Sequence, residues 1–166
     1  GAYHSLDGWK KQLLSSFPAL SKARLVVIDT SDERARLEQK TAEGGTYNTF
    51  EATIVMRLVR GMRQCVGGEF NSTELGIISA YKAQVKKIRE QLEGVLDEEE
   101  RREAVATLDS FQGQERDIIL YSFTRSARKP PGAPRIGFMS ELRRLNVAVT
   151  RCKKMLILIG DMDFLQ

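Results

Sequence analysis

Along the chain the apolar positions gather into five short runs: Arg24 to Asp29 (RLVVID), Leu75 to Ser79 (LGIIS), Ala104 to Leu108 (AVATL), Asp117 to Phe123 (DIILYSF) and Met155 to Gly160 (MLILIG). Each is largely continuous rather than alternating, the pattern of a strand covered on both faces. Between them the rhythm changes to the helical period. Phe50, Ile54, Val55, Leu58, Val59 and Met62 mark one stripe, and Asn48 with Glu51 has the spacing of a capping box. Tyr81, Val85, Ile88 and Leu92 form a second stripe, with Lys82, Lys86 and Arg89 aligned on the opposite face. A third helix is predicted from Ser140 to about Arg151, turning Leu142, Leu145 and Val149 to the core, and a lead-in helix is expected within residues 1–22.

Strands separated by helices need crossover connections. The predicted fold class is therefore α/β, with a central, mostly parallel sheet of about five or six strands and helices on both faces. Ligands on such a sheet usually sit beyond the carboxyl ends of the strands. Two stretches read as loops: the charge-dense Asp97 to Glu103, and Arg125 to Arg135, which holds three of the four prolines.

Composition then narrows the chemistry. The 166 residues, 42% hydrophobic and 29% charged, suit one domain with a sizeable core, spanning residues 1–166. One histidine, His4, and two cysteines, Cys65 and Cys152, cannot converge into a structural zinc site or a histidine-based triad, so no metal site is expected. So few cysteines leave no disulfide framework, which points to an intracellular protein. The net charge of +4 permits a polyanionic partner without demanding one. Neither a membrane segment nor a secretory signal is read from the apolar runs. The opening Gly1-Ala2 reads as a cloning scar, the mark of an excised fragment.

Two stretches carry candidate chemistry. In Thr107 to Ser122 (TLDSFQGQERDIILYS) a polar, Gly-containing turn separates two strands. Ser110, Gln112, Gly113, Gln114 and Glu115 offer hydroxyl, amide, bare backbone and carboxylate, a set suited to sugar hydroxyls and phosphate oxygens. The same residues also suit a solvated connection in which Ser110 or Asp109 caps a short turn. In Gly137 to Arg151 (GFMSELRRLNVAVTR) helical spacing puts Arg144 and Arg151 on one face, roughly 10 Å apart along the axis. Paired guanidiniums suit a phosphate, since the planar fork donates two parallel hydrogen bonds. A solvated cationic face near a helix C-terminus is the alternative.

Taken in order, these stretches resemble the second motor domain of superfamily 1 helicases, in the branch of the nonsense-mediated-decay helicase, senataxin and the nucleases of the Dna-two type. LGIISAYKAQ from Leu75 is similar to the family's G-I-I-(S/T)-P-Y-x-x-Q, TLDSFQGQERDIILYS to helicase motif V, GFMSELRRLNVAVTRCKK to motif VI, and Asn48 to Ala52 to N-x-x-E-A. The likeness covers about residues 45–165 and implies a RecA-like domain.

The resemblance also implies roles. Arg151 is expected to reach the γ-phosphate of ATP as an arginine finger, and Glu115 of the Gly113-x-Glu115 element to hold the ribose. Gln112 and Arg144 are expected to support that site. Ser79, Tyr81, Lys82 and Thr107 match positions that touch the backbone of single-stranded DNA or RNA. Such contacts carry little sequence preference. Three departures stand out: Ala80 replaces a proline, Cys152 an alanine, and Thr49 an arginine that some relatives aim at the γ-phosphate, a cation that is then either absent or supplied by Arg125. Cys152 reads as a small buried thiol.

None of the 13 glycines precedes a lysine, so the chain holds no P-loop. Asp97 to Glu100 follows no strand-like run and reads as a solvated acidic linker rather than a Walker B pair. ATP and Mg2+ would then bind chiefly to a preceding P-loop domain, and the isolated fragment would be inactive. The alternative is a non-catalytic helicase-like module that binds nucleic acid or a partner.

Overall fold

The computed structural model describes residues 24–111, 113–128 and 138–165. The expected lead-in helix, Gln112 and the proline-bearing part of the Arg125 to Arg135 loop lie outside the described residues.

Among the described residues seven strands and five α-helices follow one another: β1 (Arg24–Asp29), β2 (Gln39–Lys40), β3 (Thr46–Tyr47), α1 (Thr49–Val66), β4 (Leu75–Ser79), α2 (Lys82–Gln91), α3 (Glu98–Ala104), β5 (Val105–Thr107), β6 (Arg116–Ser122), α4 (Phe138–Arg151), β7 (Cys152–Gly160) and α5 (Met162–Leu165). The small strands β2 and β3 form an antiparallel ribbon. The other five build one sheet in the order β1-β7-β6-β4-β5, and every neighbouring pair is parallel. This matches the expected α/β sheet.

Why the five runs are continuous is visible in the register. Along β7, Leu156 and Leu158 enter one apolar cluster while Ile157 and Ile159 enter the other. Along β6, Ile119 and Tyr121 point to the first and Leu120 to the second. The first cluster is closed by Leu145, Ala148 and Val149 of α4, the second by Ala52, Val55 and Val59 of α1 with Val85 and Ile88 of α2. A strand in the middle of such a sandwich has no wet face, so no polar alternation survives. Gly76 in β4 is required by close approach, since a Cβ there would stand 2.8 Å from the Phe111 ring.

The acidic stretch Asp97 to Glu103 is not a loop. Its residues from Glu98 onward form α3, started by a reciprocal capping box: Glu100 N–H donates to Asp97 Oδ1 at 2.8 Å and Asp97 N–H to Glu100 Oε1 at 3.0 Å. The carboxylates occupy the first turn, where the helix dipole favours negative charge, and Arg101 and Arg102 the last. Charge density hid a helix whose only apolar anchor is the buried Ala104. At α1 the expected box is only half made: Asn48 Oδ1 accepts from Glu51 N–H at 3.1 Å, but Asn48 N–H donates to Gln84 Oε1 at 2.8 Å instead.

Replacing Asp97 with Ala removes the cap of α3 and is expected to lower stability by about 1 kcal/mol, read from the midpoint of urea unfolding.

Candidate functional site

The parallel sheet has two edges, and the candidate residues divide between them. At the carboxyl ends of the strands, Ser79 closes β4 and Ser122 closes β6, while Tyr81 leads into α2. Arg144 comes from α4 to meet this edge: its Nη1 donates to the Tyr81 hydroxyl at 3.2 Å, and its guanidinium carbon lies 5.9 Å from the Tyr81 ring centre. Glu141, one turn earlier and buried, stands 3.5 Å from the same Nη1. The tyrosine and the carboxylate hold the arginine, whose side chain is still 49% exposed. Lys82 is exposed at the start of α2. Thr107 ends β5, and its hydroxyl lies 2.7 Å from that of Ser110, closing the turn that follows.

Ser79 stands apart from this surface. It is fully buried, its hydroxyl 3.0 Å from that of Thr124 and accepting the Tyr81 N–H at 3.2 Å. Ser79 thus holds the backbone of Tyr81, the exposed neighbours carrying the surface of this edge.

Beneath the carboxyl edge lies a buried polar network centred on Glu51. Its Oε2 accepts from the Ser122 hydroxyl at 2.6 Å and from the Thr124 N–H at 2.8 Å. Gln84 Nε2 donates to Ser122 Oγ at 3.0 Å and to the Asn48 carbonyl at 3.1 Å. Thr124 has a φ of 71°, a left-handed conformation that a β-branched residue adopts only under restraint. The restraint is on both sides of it, through Glu51 and Ser79. Burial pushes the Glu51 carboxyl up to about 8, against the opposing pull of its bonds from Ser122 and Thr124.

Arg125, next along the chain, is occupied. Its Nε donates to Glu38 Oε2 at 2.7 Å, and Glu38 also accepts the Ser126 N–H at 3.0 Å. Arg36 makes a parallel contact to Asp161 Oδ2 at 3.0 Å, which Ser126 shares. Thr49 begins α1, beside the Asn48 side chain that donates to the Thr124 carbonyl. Both positions weighed for a second γ-phosphate cation thus lie at the carboxyl edge.

Glu115 and Arg151 lie at the other edge. Arg116 of β6 pairs with Cys152 of β7, so the residues just before them, Glu115 and Arg151, enter neighbouring strands side by side. Gly113 approaches the same entry with a φ of 80° and open space where a Cβ would stand. Glu115 is 58% exposed and lies 3.7 Å from Lys153 Nζ, a cation absent from the expected set. Arg151 has a buried Nε–H without an acceptor and no hydrogen-bond partner among the described residues. Its terminal position on α4 carries it away from Arg144, two turns back, by roughly 10 Å. The anticipated arginine pair is therefore split between the edges. Cys152 is half-buried with its thiol pushed up by burial, in keeping with a small packed thiol.

Comparison with known proteins fits this framework. A family model described as an AAA domain matches residues 6–163. The chain belongs to that AAA domain family. The domain is 33% identical over 150 residues to the DNA polymerase alpha-associated DNA helicase A of Saccharomyces cerevisiae, covering 88% of this chain and 20% of the relative. It is 32% identical over 161 residues to the human RNA helicase Mov10l1, covering 95% and 12%, and 32% identical over 129 residues to the helicase sen1 of Schizosaccharomyces pombe, covering 73% and 7%. The AAA domain described here is helicase-like, of superfamily 1, and spans a fifth or less of these relatives. Among its described residues no helix is long and apolar enough to cross a membrane, and no three His, Cys, Asp or Glu side chains stand close enough to hold a metal ion.

Sequence reading missed the Glu38–Arg125 and Asp161–Arg36 contacts, which join residues far apart in the chain and obey no local spacing. Gln84 is visible in the sequence only as a motif letter, and Glu51 as a motif letter and a capping-box position.

Between pH 4.5 and about 8 the unfolded AAA domain releases a proton that folded Glu51 keeps. Stability is therefore expected to fall as pH rises through that window, by roughly a few kcal/mol, and to level off above it. Unfolding of wild type and Glu51→Gln across the range checks this: the variant should lack the Glu51 share of the slope.

Proposed function

We propose that this AAA domain is the second motor domain of an ATP-dependent nucleic-acid helicase or translocase acting inside the cell. The observation that carries the reading is the placement of Glu115 beside Arg151 at one edge of the sheet, with Tyr81, Lys82, Arg144 and Thr107 gathered at the other. One edge offers groups for a nucleotide, the other for a single strand of DNA or RNA.

The residues at the amino edge fit a nucleotide. Arg151 has a buried donor with no acceptor, Glu115 is an accessible carboxylate suited to ribose hydroxyls, and Gly113 leaves its backbone uncovered. ATP supplies the phosphoryl group whose transfer to water drives the motor. Arg151 binds the γ-phosphate and, as an arginine finger, stabilises charge there during transfer. Glu115 and Gly113 orient the sugar, and Gln112, next to Gly113 in sequence, is assigned to the same site. Mg2+ is assigned mainly to the preceding P-loop RecA-like domain of the same protein, which supplies the phosphate cradle. Arg144, held on Tyr81, joins the strand-facing edge rather than the nucleotide.

At the carboxyl edge Tyr81 presents a ring, Lys82 an ammonium and Thr107 a hydroxyl. These contact sugar and phosphate without reading base sequence. The turn from Thr107 to Glu115 runs from one edge to the other, so closing on nucleotide and gripping a strand act on one short segment.

In the full-length protein Arg151→Ala is expected to lower nucleic-acid-stimulated ATPase by about 10³-fold while strand binding persists. Unchanged ATPase would overturn the arginine-finger assignment. The isolated chain, with one side of the cleft, is expected to release no phosphate from ATP above buffer; hydrolysis by the pure chain that survives Arg151→Ala would contradict the division of labour.

A further inference from the structure

Where α2, α3 and β5 meet the turn into β6 lies a cavity of about 530 Å³ lined by Arg89, Arg102, Arg116, Ser110 and Gln114, with Glu103 as the one carboxylate among the described residues. Three guanidiniums against one carboxylate leave the site short of negative charge. Arg102 also meets Glu98 at 3.2 Å, but both side chains are largely exposed, at 71% and 81%, where water screens the pair.

The other two arginines are fixed in place. Arg89 Nη2 donates to the Val105 carbonyl of the edge strand at 2.5 Å. Arg116 lies with its guanidinium carbon 5.2 Å from the Phe111 ring centre, and its Nη2 donates to Gln114 Oε1 at 2.9 Å. Arg116 also donates from Nη1 to the Glu115 carbonyl at 3.0 Å, and among the described residues the buried Nε–H of each arginine has no acceptor. The forks are pre-organised, and phosphate is the anion whose oxygens match them.

The lining also says what kind of phosphate. Phe111 is fully buried with Arg116 over its ring, and Ala106 is the one apolar side chain in the wall, so among the described residues the cavity offers no free face on which a base could stack. It recognises charge. It is also continuous with the strand-facing edge: Ser110 in its wall lies 2.7 Å from the Thr107 hydroxyl, and Gln114 Nε2 donates to the Ser110 carbonyl at 3.4 Å.

We propose that this cavity binds a backbone phosphate of the single strand, carrying the strand from Thr107 along the turn that leads to Arg116. The proposal rests on the reading of the carboxyl edge as the strand's path. Arg89 and Arg116 hold the non-bridging oxygens, Ser110 adds a hydroxyl donor, and Arg102 supplies an outer cation. The contact is blind to base identity and strongly salt-dependent.

The test is a titration of the isotope-labelled chain with oligothymidylate or oligouridylate of about 12 nucleotides, following backbone amide and arginine Nε–H resonances at several salt concentrations. On the proposal, the Nε–H signals of Arg89 and Arg116 move on binding. Arg102→Gln weakens binding about threefold, Arg89→Gln with Arg102→Gln about tenfold, and each lost contact reduces the slope of log affinity on log salt by about 0.7. Arg102 is exposed, so its variant is expected to melt as wild type does, which separates binding from folding. Arg89→Lys keeps the charge and is expected to restore part of the affinity.

If wild type binds and Lys82→Ala weakens it while the arginine variants bind normally, this subsite is overturned and the strand-facing edge stands. If wild type binds neither oligonucleotide at low salt, both readings fall. If inorganic phosphate moves the arginine signals and the oligonucleotides do not, the cavity is a free-anion site and the proposal is overturned.

Discussion

The carboxyl group of Glu51 is the contact on which the carboxyl edge of the sheet depends. It is fully buried, and its Oε2 gathers the Ser122 hydroxyl and the Thr124 N–H onto the start of α1. Together with Asn48, which donates to the Thr124 carbonyl, and Ser79, which meets its hydroxyl, those bonds hold Thr124 in its left-handed conformation, where the chain turns at the end of β6 toward Arg125 and Glu38. A carboxyl in a dry site is costly in its charged form, and burial answers by keeping the proton on. Stability is surrendered at higher pH in exchange for a fixed geometry at the edge.

The same network makes distant elements act together. Gln84 at the start of α2 bonds to Asn48 before α1 and to Ser122 at the end of β6. Three segments thus share one set of hydrogen bonds, and Tyr81 follows directly from β4 with its N–H on Ser79. Tyr81 in turn receives Arg144 from the opposite face of the sheet. Helices on both faces are therefore tied to one edge, which is how a site can be assembled from residues that no single element contains.

Order along a strand sets the division between the two edges. In a parallel sheet every strand begins at one edge and ends at the other, so a loop joining β5 to β6 must cross from the carboxyl to the amino side. Thr107 and Glu115 belong to that one crossing and are separated by it. A helix such as α4 returns over the same distance, which separates Arg144 from Arg151 even though helical spacing puts them on one face.

Much of this was written locally. Continuous apolar runs fixed the strands, the 3.6-residue stripes fixed α1 and α2, and the glycine and polar turn after Thr107 marked the crossing. These signals depend on burial and backbone preference over a few residues, and short stretches carry them without help. The acidic α3 does not show in periodicity because its signal is capping and dipole chemistry, and the burial of Ser79 does not show in a motif letter. Strand order, the φ of Thr124, the orphaned Nε atoms of Arg89, Arg116 and Arg151, and the joining of Arg144 to Tyr81 were decided by the tertiary structure alone. Each depends on which side chains meet across the fold, and a one-dimensional pattern of hydrophobic and polar positions holds no record of those distances.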